Sequence, residues 1–398
     1  MKKQNTRRAF IKKSALAGLA IPILGSSLYS CKTETKKETK ESETSSKKLN
    51  ILILGGTSFL GPHQVAYALS RGHSVSTFTR GKTKPSVHAE LFDQVEQLIG
   101  DREDNLKALE NRKWDVVIDN SGRNVEWTKA TANLLKDNVG MYMYTSSTGV
   151  YYPYLTNDIN EDTKLVLSMP EDLTENEQYE QEYGVMKANS ELEAIKAFGK
   201  ERTIVIRPTY MIGPADKTDR FIHWPVRLAK GGEILVPGKK EDPVQYADVR
   251  DIAEWFIRLA ENKQHGTYNG VGPKTTQTMQ QFVKEAAKTF DVESSFVMIE
   301  DYDFLVKNKV YFSVPWIMAN DKNYGSARIS NSKSISSGLT LRPITQTIKD
   351  TYDWWKSDAI SEERRQKFEG NPDTLLVKEK EILENWKQHS YLEKQLGI

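Results

Sequence analysis

Short segments rich in apolar residues recur along the chain and alternate with longer amphipathic stretches. The first, residues 49–54, is continuously apolar, as expected for a strand buried on both faces of a parallel sheet. A helical stretch from residue 60 to about residue 71 follows it. Further strands are predicted at or near residues 74–79, 97–101, 114–119, 140–145 and 203–206. This alternation predicts the α/β class with a doubly wound parallel sheet.

The first 31 residues have a different pattern, with six basic residues, no acidic residue and an apolar run at positions 15–24. That run is too short for a stable bilayer-spanning helix, which needs about 20 residues. A basic segment followed by a short apolar one is typical of a secretion signal. Residues 6–12, TRRAFIK, resemble the twin-arginine export consensus. The sequence therefore predicts export by the twin-arginine translocation machinery.

Cys31, the single cysteine, closes this leader in the sequence LYSC. The segment resembles a bacterial lipoprotein box, which implies that Cys31 is acylated and becomes the first mature residue. A cysteine that merely lies near the cleavage site is the alternative. Residues 32–48 contain six lysines, four glutamates and no large apolar side chain, which predicts a disordered tether. We expect a periplasmic or cell-envelope lipoprotein held at a membrane by the lipid on Cys31.

Composition changes how the charge of the chain is interpreted. The 398 residues carry 56 basic and 54 acidic side chains, a formal net charge of +2. Removal of the six basic leader residues lowers this to −4, so no bulk attraction to nucleic acid is expected. The length suggests two domains, or one large α/β unit with a cap. A hydrophobic content of 38% excludes a wholly disordered chain.

A glycine-rich turn, GGTSFLG at residues 55–61, joins the first predicted strand to the first helix. Strand, glycine turn, helix and second strand within about 30 residues are the context in which such a turn binds a dinucleotide. Gly55 would permit the tight turn and Gly61 the close helix packing, with the pyrophosphate at the helix N-terminus. Ser58 replaces the middle glycine and would either bond the phosphate or weaken its binding. An ordinary strand–helix connection is the alternative.

Residues at the carboxyl ends of the predicted strands indicate how a dinucleotide would be held. Arg80 follows the second strand, where an NAD-selective site has an acidic residue, so NADP is slightly favoured over NAD. A surface arginine at a strand end is the alternative. Asp101 follows the third strand and is expected to accept from the adenine amino group. Asn120 and Ser121 follow the fourth strand, at the edge where ligands bind.

A tyrosine and a lysine with helical spacing, Tyr183 and Lys187, follow the serine-bearing end of the fifth strand. On a helix, residues at i and i+4 face the same side, and a nearby ammonium favours the phenolate. Such a tyrosine can exchange a proton with a substrate hydroxyl beside a nicotinamide. A second pair with this spacing, Tyr352 and Lys356, has no serine-bearing strand before it and is interpreted as helix surface.

In order and spacing, these elements resemble the extended short-chain dehydrogenase/reductase superfamily, which contains nucleotide-sugar epimerases and dehydratases. Segments at residues 207–214, 245–253, 267–272 and 332–354 resemble later elements of that superfamily, so the resemblance covers residues 49 to about 356. It implies that Tyr183 transfers the proton and that Lys187 lowers its pKa and binds the nicotinamide ribose. It also implies that Ser147, with Ser146 as the alternative, holds the substrate oxygen.

The resemblance also implies a bound NAD or NADP and a division of the chain. The residues expected to contact the dinucleotide are Gly55, Thr57, Ser58, Phe59, Leu60, Gly61, Arg80, Asp101, Asn120, Ser121, Tyr183, Lys187 and Pro208. A Rossmann-type domain is expected at residues 49–208 and about 234–262, and a smaller C-terminal α/β substrate lobe at about 209–233 and 263–356. Residues 357–398 are predicted to be a charged helical extension. A homodimer is left open.

The predicted substrate lobe contains the segment DRFIHWP at residues 219–225. Arg220 and His223 would form hydrogen bonds with a sugar or polyol, and Trp224 would stack on it. A helix with buried aromatic residues and a solvated ion pair is the alternative. The six histidines show no spacing typical of metal ligands, so no metal site is predicted.

Export narrows the chemistry that this sequence predicts. Free NAD(P) is not expected to be regenerated outside the cytoplasm, so a reaction that returns its hydride to the same molecule is favoured. The sequence therefore predicts an exported epimerase- or dehydratase-like enzyme that oxidises a sugar or polyol transiently with a tightly bound dinucleotide. An NADPH-dependent carbonyl reductase is one alternative. The other is a non-catalytic nucleotide- or RNA-binding protein, because relatives in plastids keep the glycine turn and bind RNA.

Overall fold

The first predicted strand lies at the centre of a parallel sheet, where residues 51–54 are fully buried. The computed structural model describes residues 48–120, 122–154, 156–320 and 323–396. Ser121, Cys31, the rest of the predicted leader and all of the predicted tether except Lys48 lie outside the described residues. The described chain from Lys48 onward belongs to one compact unit.

Strands and helices alternate through most of this unit. The strands are β1 (Asn50–Leu54), β2 (Ser74–Thr79), β3 (Glu96–Ile99), β4 (Trp114–Asp119), β5 (Val139–Thr145), β6 (Thr203–Pro208), β7 (Met211–Ile212), β8 (Gly232–Pro237), β9 (Pro243–Asp248), β10 (Gly266–Gly270), β11 (Gly272–Thr278), β12 (Ser294–Ile299), β13 (Phe312–Ser313) and β14 (Trp316–Ile317). The helices are α1 (Leu60–Ser70), α2 (Val125–Leu135), α3 (Glu175–Phe198), α4 (His223–Leu228), α5 (Val249–Glu261), α6 (Met279–Ala287), α7 (Tyr302–Lys307), α8 (Ser332–Ser336), α9 (Ile344–Lys356), α10 (Glu362–Glu369) and α11 (Leu375–Leu396).

Seven strands form the central sheet in the order β10-β6-β5-β4-β1-β2-β3, and all neighbours are parallel. Strand β1 lies between β2 and β4, with Ile51 opposite Val75 and Val116. The chain first builds the sheet outward from β1 to β3 and then returns to the other side of β1 with β4. The point of reversal therefore lies between β1 and β4, which is where ligands bind in doubly wound sheets.

Helices cover both faces of this sheet. Ile51 and Ile53 pack with apolar residues of α1 and α5 on one face. Leu52 and Leu54 pack with residues of α2 and α3 on the other face. Burial on both faces accounts for the continuously apolar sequence of β1. The predicted α/β fold class with a doubly wound, Rossmann-type sheet is confirmed.

A second apolar core forms around the smaller sheets that follow β6. Strand β9 pairs with β7 and β11, and β8 pairs in parallel with β12. The fully buried rings of Trp224, Phe282 and Trp316 belong to this core, and Ile382 and Leu383 of α11 pack into it. Within the described ranges, the structure contains no helix with the length and apolar character needed to cross a membrane.

Candidate active site

The glycine turn between β1 and α1 forms a close-packed cradle. Gly55 has a φ of 82°, a left-handed value that favours glycine. A Cβ atom on Gly61 would lie 2.5 Å from the backbone of Gly56, and one on Gly56 would collide with Thr77. Neither position tolerates a side chain, so α1 begins directly against the turn. The expected roles of Gly55 and Gly61 agree with this geometry, whereas the sequence analysis did not single out Gly56.

The N-terminus of α1 carries no side-chain cap within the described residues. Phe59 is its N-cap and forms no side-chain capping hydrogen bond. The carbonyl of Ser58 accepts a hydrogen bond from the Gly61 N–H (3.1 Å), and the Ser58 side chain is exposed. Thr57 is buried in the turn and Leu60 in the first turn of the helix. An uncapped helix N-terminus above a glycine cradle fits the pyrophosphate of a dinucleotide.

Four of the predicted dinucleotide contacts lie at or just beyond strand ends. Arg80 is exposed directly after β2, and Pro208 is the last, buried residue of β6. Asp101 is half-buried after β3, where its side chain accepts a hydrogen bond from the Glu103 N–H (3.1 Å). Asn120 follows β4. The carboxyl ends of parallel strands share one sheet edge, so these residues belong to the same edge as the glycine turn.

Asn120 is held by residues from two neighbouring elements. Its amide donates to Gln64 Oε1 of α1 (2.7 Å), and its oxygen accepts from Thr145 Oγ1 of β5 (2.8 Å). Gln64 is 0% exposed, and its Nε2 has no hydrogen-bond partner within the described residues. These bonds fix α1 against the ends of β4 and β5. In the sequence, Gln64 could have been found as a polar residue on the face of α1 that is predicted to be buried.

Helix α3 carries the predicted tyrosine and lysine along the same sheet edge. Thr174 and Glu177 form a capping box at its start, which fixes the first turn of this helix. The Lys187 ammonium is buried and donates to the backbone carbonyls of Gly122 (3.1 Å) and Thr145 (3.0 Å). Burial lowers the pKa of Lys187 to about 8, against the opposing effect of the Asp119 carboxylate. Lys187 thus ties α3 to the ends of β4 and β5.

Tyr183 is 40% exposed and lies beside the turn that follows β5. A Cβ atom on Gly149 would lie 3.1 Å from its ring, so the absence of a side chain there admits the phenol. Ser147 accepts a hydrogen bond from the Gly149 N–H (3.0 Å), and its Oγ would lie 3.3 Å from the same Cβ position on Gly149 that faces the Tyr183 ring. The structure therefore brings Ser147 and Tyr183 together, with the Lys187 ammonium 6.0 Å from the centre of the tyrosine ring.

Several neighbours act on the pKa of the Tyr183 phenol. Desolvation raises this pKa, while the Ser147 hydroxyl and the charges of Arg123 and Arg220 lower it. The Lys187 ammonium donates to the carbonyls of Gly122 and Thr145, and its lowering of the Tyr183 pKa stays a prediction. Helical spacing correctly predicted the shared face but not the direction of the ammonium group.

Ser146, the alternative to Ser147, belongs to a buried polar network beneath the site. Its hydroxyl bonds the Glu191 carboxylate, which also accepts two hydrogen bonds from Arg207 (2.7 and 3.0 Å). Arg207 donates to the Tyr151 hydroxyl (2.7 Å), and that hydroxyl donates to Asn269 of β10 (2.7 Å). Because Ser146 is engaged below the surface, Ser147 is the serine that faces Tyr183.

A second buried pair lies under the end of β4. Asp119 is fully buried and accepts two hydrogen bonds from Arg102 (2.7 and 3.0 Å). The Tyr142 hydroxyl donates to the same carboxylate (2.6 Å). Arg102 and Tyr142 hold the pKa of Asp119 below its usual value despite burial, and the charge of Lys187 acts in the same direction. The negative charge beneath Lys187 is therefore fixed by an arginine.

Two of the three substrate contacts predicted within residues 219–225 lie in the protein interior. Trp224 is 0% exposed and its indole N–H donates to the Val314 carbonyl (2.9 Å), so the predicted stacking on a substrate is wrong. His223 is buried with no hydrogen-bond partner for either ring nitrogen in the described ranges. Burial lowers its pKa to about 3, so the ring is neutral and directed away from solvent, against the predicted role. The sequence pattern did not distinguish an apolar helix face from a binding face.

Arg220 remains at the site. Its guanidinium carbon lies 5.3 Å from the centre of the Tyr210 ring, and its Nε donates to Thr218 Oγ1 (2.9 Å). It is close enough to Tyr183 to lower the pKa of the phenol, and close enough to Glu180 to oppose the rise that burial causes in that carboxyl pKa. The sequence analysis predicted Arg220 but missed Arg123, Glu180 and Tyr210.

A sequence model described as the NAD dependent epimerase/dehydratase family matches residues 51–271. The chain is also similar to the chloroplast stem-loop binding protein of 41 kDa b of Arabidopsis thaliana, with 29% identity over 240 residues. That match covers 56% of this chain and 57% of the plant protein, so the chain spans just over half the length of that relative.

Solved structures share the fold at low sequence identity. The Bordetella bronchiseptica enzyme WbmH, in complex with NAD⁺, matches with a TM-score of 0.56, 15% identity and coverage of 79% of this chain and all of that chain. The dTDP-glucose 4,6-dehydratase of Bacillus anthracis, in complex with NAD, matches with a TM-score of 0.55 and 16% identity over 78% of this chain and 97% of its own. The UDP-glucuronic acid 4-epimerase of Bacillus cereus matches with a TM-score of 0.52 and 15% identity over 77% and 98%.

Proposed function

This chain belongs to the NAD dependent epimerase/dehydratase family, and on that basis we propose that it is an exported enzyme that acts on a sugar or polyol through transient oxidation of a carbinol, using tightly held NAD(P). One observation carries the proposal. Ser147, Tyr183 and the anchored Lys187 lie at the same sheet edge as a glycine cradle and an uncapped helix N-terminus. Proton transfer and dinucleotide binding can therefore occur at one edge of the sheet.

The residues of this chain have separate tasks in the proposed reaction. Ser147 would hold the carbinol oxygen by a hydrogen bond, and the Tyr183 phenolate oxygen would accept the carbinol proton and later return it. Lys187 keeps α3 in place through the Gly122 and Thr145 carbonyls, and would bind a ribose hydroxyl with its remaining N–H. When bound, the dinucleotide supplies the hydride acceptor and donor for the carbinol carbon.

Gly55, Gly61 and the first turn of α1 would hold the pyrophosphate, because the cradle leaves no room for a side chain. Arg80 supports a slight preference for NADP. It is exposed directly after β2 and forms no ion pair within the described ranges, so its guanidinium is available to a 2′-phosphate. We expect the enzyme to bind NADP more tightly than NAD by about a factor of 10, or roughly 1.4 kcal/mol.

Export would favour a reaction without net redox change. The leader predicted at residues 1–31 implies a compartment in which spent dinucleotide is not regenerated. A reaction that returns the hydride to the same substrate needs no regeneration, and twin-arginine export of a folded protein permits loading of the dinucleotide beforehand. Since nucleotide sugars are cytoplasmic, a free or glycosidic sugar is the proposed substrate.

The experiment begins with the mature protein purified from its native compartment and analysed for bound nucleotide by absorbance and mass spectrometry. Retained NAD(P) that is reduced by a sugar and reoxidised without added oxidant would support the proposal. Absence of nucleotide together with failure to bind any on incubation would refute it. Stoichiometric consumption of added NADPH with a ketone or aldehyde would instead identify a carbonyl reductase.

Replacement of the proton-transfer residue separates chemistry from binding. Tyr183→Phe should lower turnover by a factor of about 10² to 10⁴, while leaving the bound nucleotide in place. Tyr352→Phe is the matched control, because Tyr352 also precedes a lysine by four residues but lies in α9, with its ring 5.1 Å from Phe290. Equal activity of Tyr183→Phe and the parent protein would show that another group transfers the proton.

The resemblance to the plant stem-loop binding protein favours one other candidate function, binding of RNA hairpins. Electrophoretic or fluorescence titration with an RNA hairpin at 50 and 200 mM salt tests it. Affinity that falls steeply with salt would support phosphate contacts and this second candidate. Equal, weak binding at both salt concentrations would leave the enzyme as the proposed function.

A further inference from the structure

A chain of hydrogen bonds connects the first helix to the lysine of the candidate active site. Gln64 Oε1 in α1 accepts from the Asn120 amide after β4 (2.7 Å), and Asn120 Oδ1 accepts from Thr145 Oγ1 at the end of β5 (2.8 Å). The carbonyl of the same threonine accepts from the Lys187 ammonium of α3 (3.0 Å). These four residues form the relay, which joins two helices that cover opposite faces of the sheet.

Gln64 is an unfavourable residue for the stability of its position. Its side chain is 0% exposed, and its Nε2 has no hydrogen-bond partner within the described residues. A buried N–H group without a partner is destabilising, because it has lost its bonds with water. Asn120, in contrast, is half-buried, so water can replace Gln64 as its acceptor. An unbranched apolar side chain at position 64 would therefore avoid the cost of the unpartnered N–H and lose little else.

The relay connects the two elements assigned to the dinucleotide. The N-terminus of α1, one helical turn before Gln64, would hold the pyrophosphate, and Lys187 of α3 would bind a ribose hydroxyl. The backbone N–H of Asn120 also donates to the carbonyl of Leu54 (3.0 Å), directly before the glycine cradle. A ligand held by two elements binds more tightly when those elements are already fixed relative to each other, because less ordering is then required on binding.

We propose that Gln64 is a positioning residue that holds α1 in a fixed relation to α3 through Asn120 and Thr145, and so slows the release of the dinucleotide. The inference rests on the proposed function, which assigns the dinucleotide to this edge of the sheet. It deepens that function in one respect, because an enzyme that returns its hydride to the same substrate must retain the dinucleotide between turnovers. Gln64 lowers the stability of the fold while it prolongs this retention.

The rate of nucleotide release from the loaded mature protein tests this role. Bound nucleotide is exchanged against an excess of isotope-labelled NAD or NADP, whichever the parent protein contains. Gln64→Met removes the acceptor of the relay, and Thr145→Val removes its hydroxyl donor while the carbonyl that binds Lys187 remains. We expect each variant to release nucleotide about 10-fold faster, and the double variant also about 10-fold rather than about 100-fold faster, because either change breaks the same relay. Thr145→Ser keeps the hydroxyl donor and should release nucleotide at the parent rate.

Gln245→Met is the matched control. Gln245 is a half-buried glutamine of β9 with both ends of its amide bonded, since Nε2 donates to the Ile329 carbonyl (2.8 Å) and Oε1 accepts from the Ile329 N–H (3.1 Å). Its replacement should lower the thermal midpoint by about 1–3 °C without changing the rate of nucleotide release. Gln64→Met should leave the midpoint unchanged or raise it. The midpoints are measured after the nucleotide of each protein has been adsorbed on charcoal.

Each outcome decides the role of Gln64. Parent-like release from either Gln64→Met or Thr145→Val, or a double variant that releases nucleotide about 100-fold faster, would overturn the inference, because the relay would not act as one unit. A midpoint of Gln64→Met as low as that of Gln245→Met would make Gln64 a stabilising residue and overturn it as well. Faster release from Gln245→Met would also overturn it, by showing that release follows general stability. A parent protein that holds no nucleotide would instead refute the proposed function, which is a separate result.

Discussion

The buried interior beneath the strand ends and the site around Tyr183 differ in how their arginines are partnered. Below, Arg102 and Arg207 are buried and each is matched by a carboxylate through two hydrogen bonds. Above, Arg123 and Arg220 approach Tyr183 without an acidic partner in the described ranges. A buried unpaired charge is destabilising by several kcal/mol, whereas an exposed one retains most of its hydration.

This difference separates charges that hold the fold from charges that can bind a ligand. The buried pairs join separate elements of the fold, since Glu191 lies in α3 and Arg207 in the strand β6 that follows it. Arg220 forms one hydrogen bond, to Thr218, and stacks over the Tyr210 ring, so its removal should leave folding largely intact. Lys187 stands between the two classes, because it is buried but bonded to neutral carbonyls.

Removal of a buried arginine should have the largest effect on stability. Arg102→Met leaves the fully buried Asp119 without its cationic partner, and breaking such a pair costs about 3–5 kcal/mol. Urea unfolding followed by circular dichroism measures the loss at pH 7. A change of less than about 1 kcal/mol would show that the other groups around Asp119 hold the carboxylate without Arg102.

Acid should act on a third class of buried group, an imidazole kept neutral. His63 donates from Nε2 to the Pro214 carbonyl (3.1 Å), so its neutral ring accepts from His88 at Nδ1 (3.3 Å). Burial lowers the His63 pKa from 6.5 to about 4, so the unfolded chain binds this proton first as the pH falls. Stability from this group is present above pH 6.5 and is lost between about pH 6.5 and 4, by up to roughly 3 kcal/mol.

The comparison of His63→Gln with the parent protein isolates this contribution from that of the acidic residues. The difference between their free energies of unfolding, measured at pH 7, 5.5 and 4, should move in favour of the variant as the pH falls. A difference that stays constant over this range would contradict a neutral, buried His63.

Replacement of Lys187 should affect function far more than folding. Lys187→Met removes a buried charge, which is favourable, and removes the hydrogen bonds to the Gly122 and Thr145 carbonyls, which costs about 1–3 kcal/mol although the Gly122 carbonyl still accepts from the Tyr144 hydroxyl. Because these effects oppose each other, the free energy of unfolding should change by less than about 2 kcal/mol while turnover is lost. The free energy of unfolding at pH 7 and the rate of substrate turnover by the nucleotide-loaded protein are measured on the same preparation.

Replacement of Arg220 should have the smallest effect on stability. Arg220→Gln breaks no ion pair within the described residues and is expected to change the free energy of unfolding by no more than about 0.5 kcal/mol. Thermal unfolding of Arg220→Gln and of Arg102→Met, measured under the same conditions, compares the stability effects of the two arginines directly. A loss as large as that of Arg102→Met would mean that Arg220 stabilises the fold, and would remove the distinction between the two classes.

The sequence was most informative where both faces of an element are buried. A continuous apolar run is typical of a strand covered on both faces or of a buried helix. The glycine turn after residue 54 favoured the strand. The bounds of β1, β2 and β4 were predicted to within one residue. Tyr183 and Lys187 were placed on one helix face because helical periodicity fixes spacing. The direction of the Lys187 ammonium depends on carbonyls from β5 and the turn after β4, which periodicity does not describe.

Prediction failed where one segment contains both polar and aromatic residues. Residues 219–225 place Arg220 at the site and Trp224 in the core, and only the packing of α4 against its neighbours decides which residue faces which way. Arg123 was missed because nothing near it in sequence marks it. Its relevance comes from Tyr183 and Arg220, which are distant along the chain and meet it only in the fold.

The pairing of β10 with β6 has a consequence for synthesis of the protein. Strand β6 ends at Pro208, and its partner β10 begins only at Gly266, after the chain has formed β7, β8, β9 and α5. At roughly 5–20 residues per second, the ribosome needs several seconds to supply that partner. During this interval β6, all of whose residues are buried in the finished fold, presents an unpaired edge to other nascent chains. Chains that terminate in this interval should therefore be the most prone to aggregate and the most dependent on chaperones.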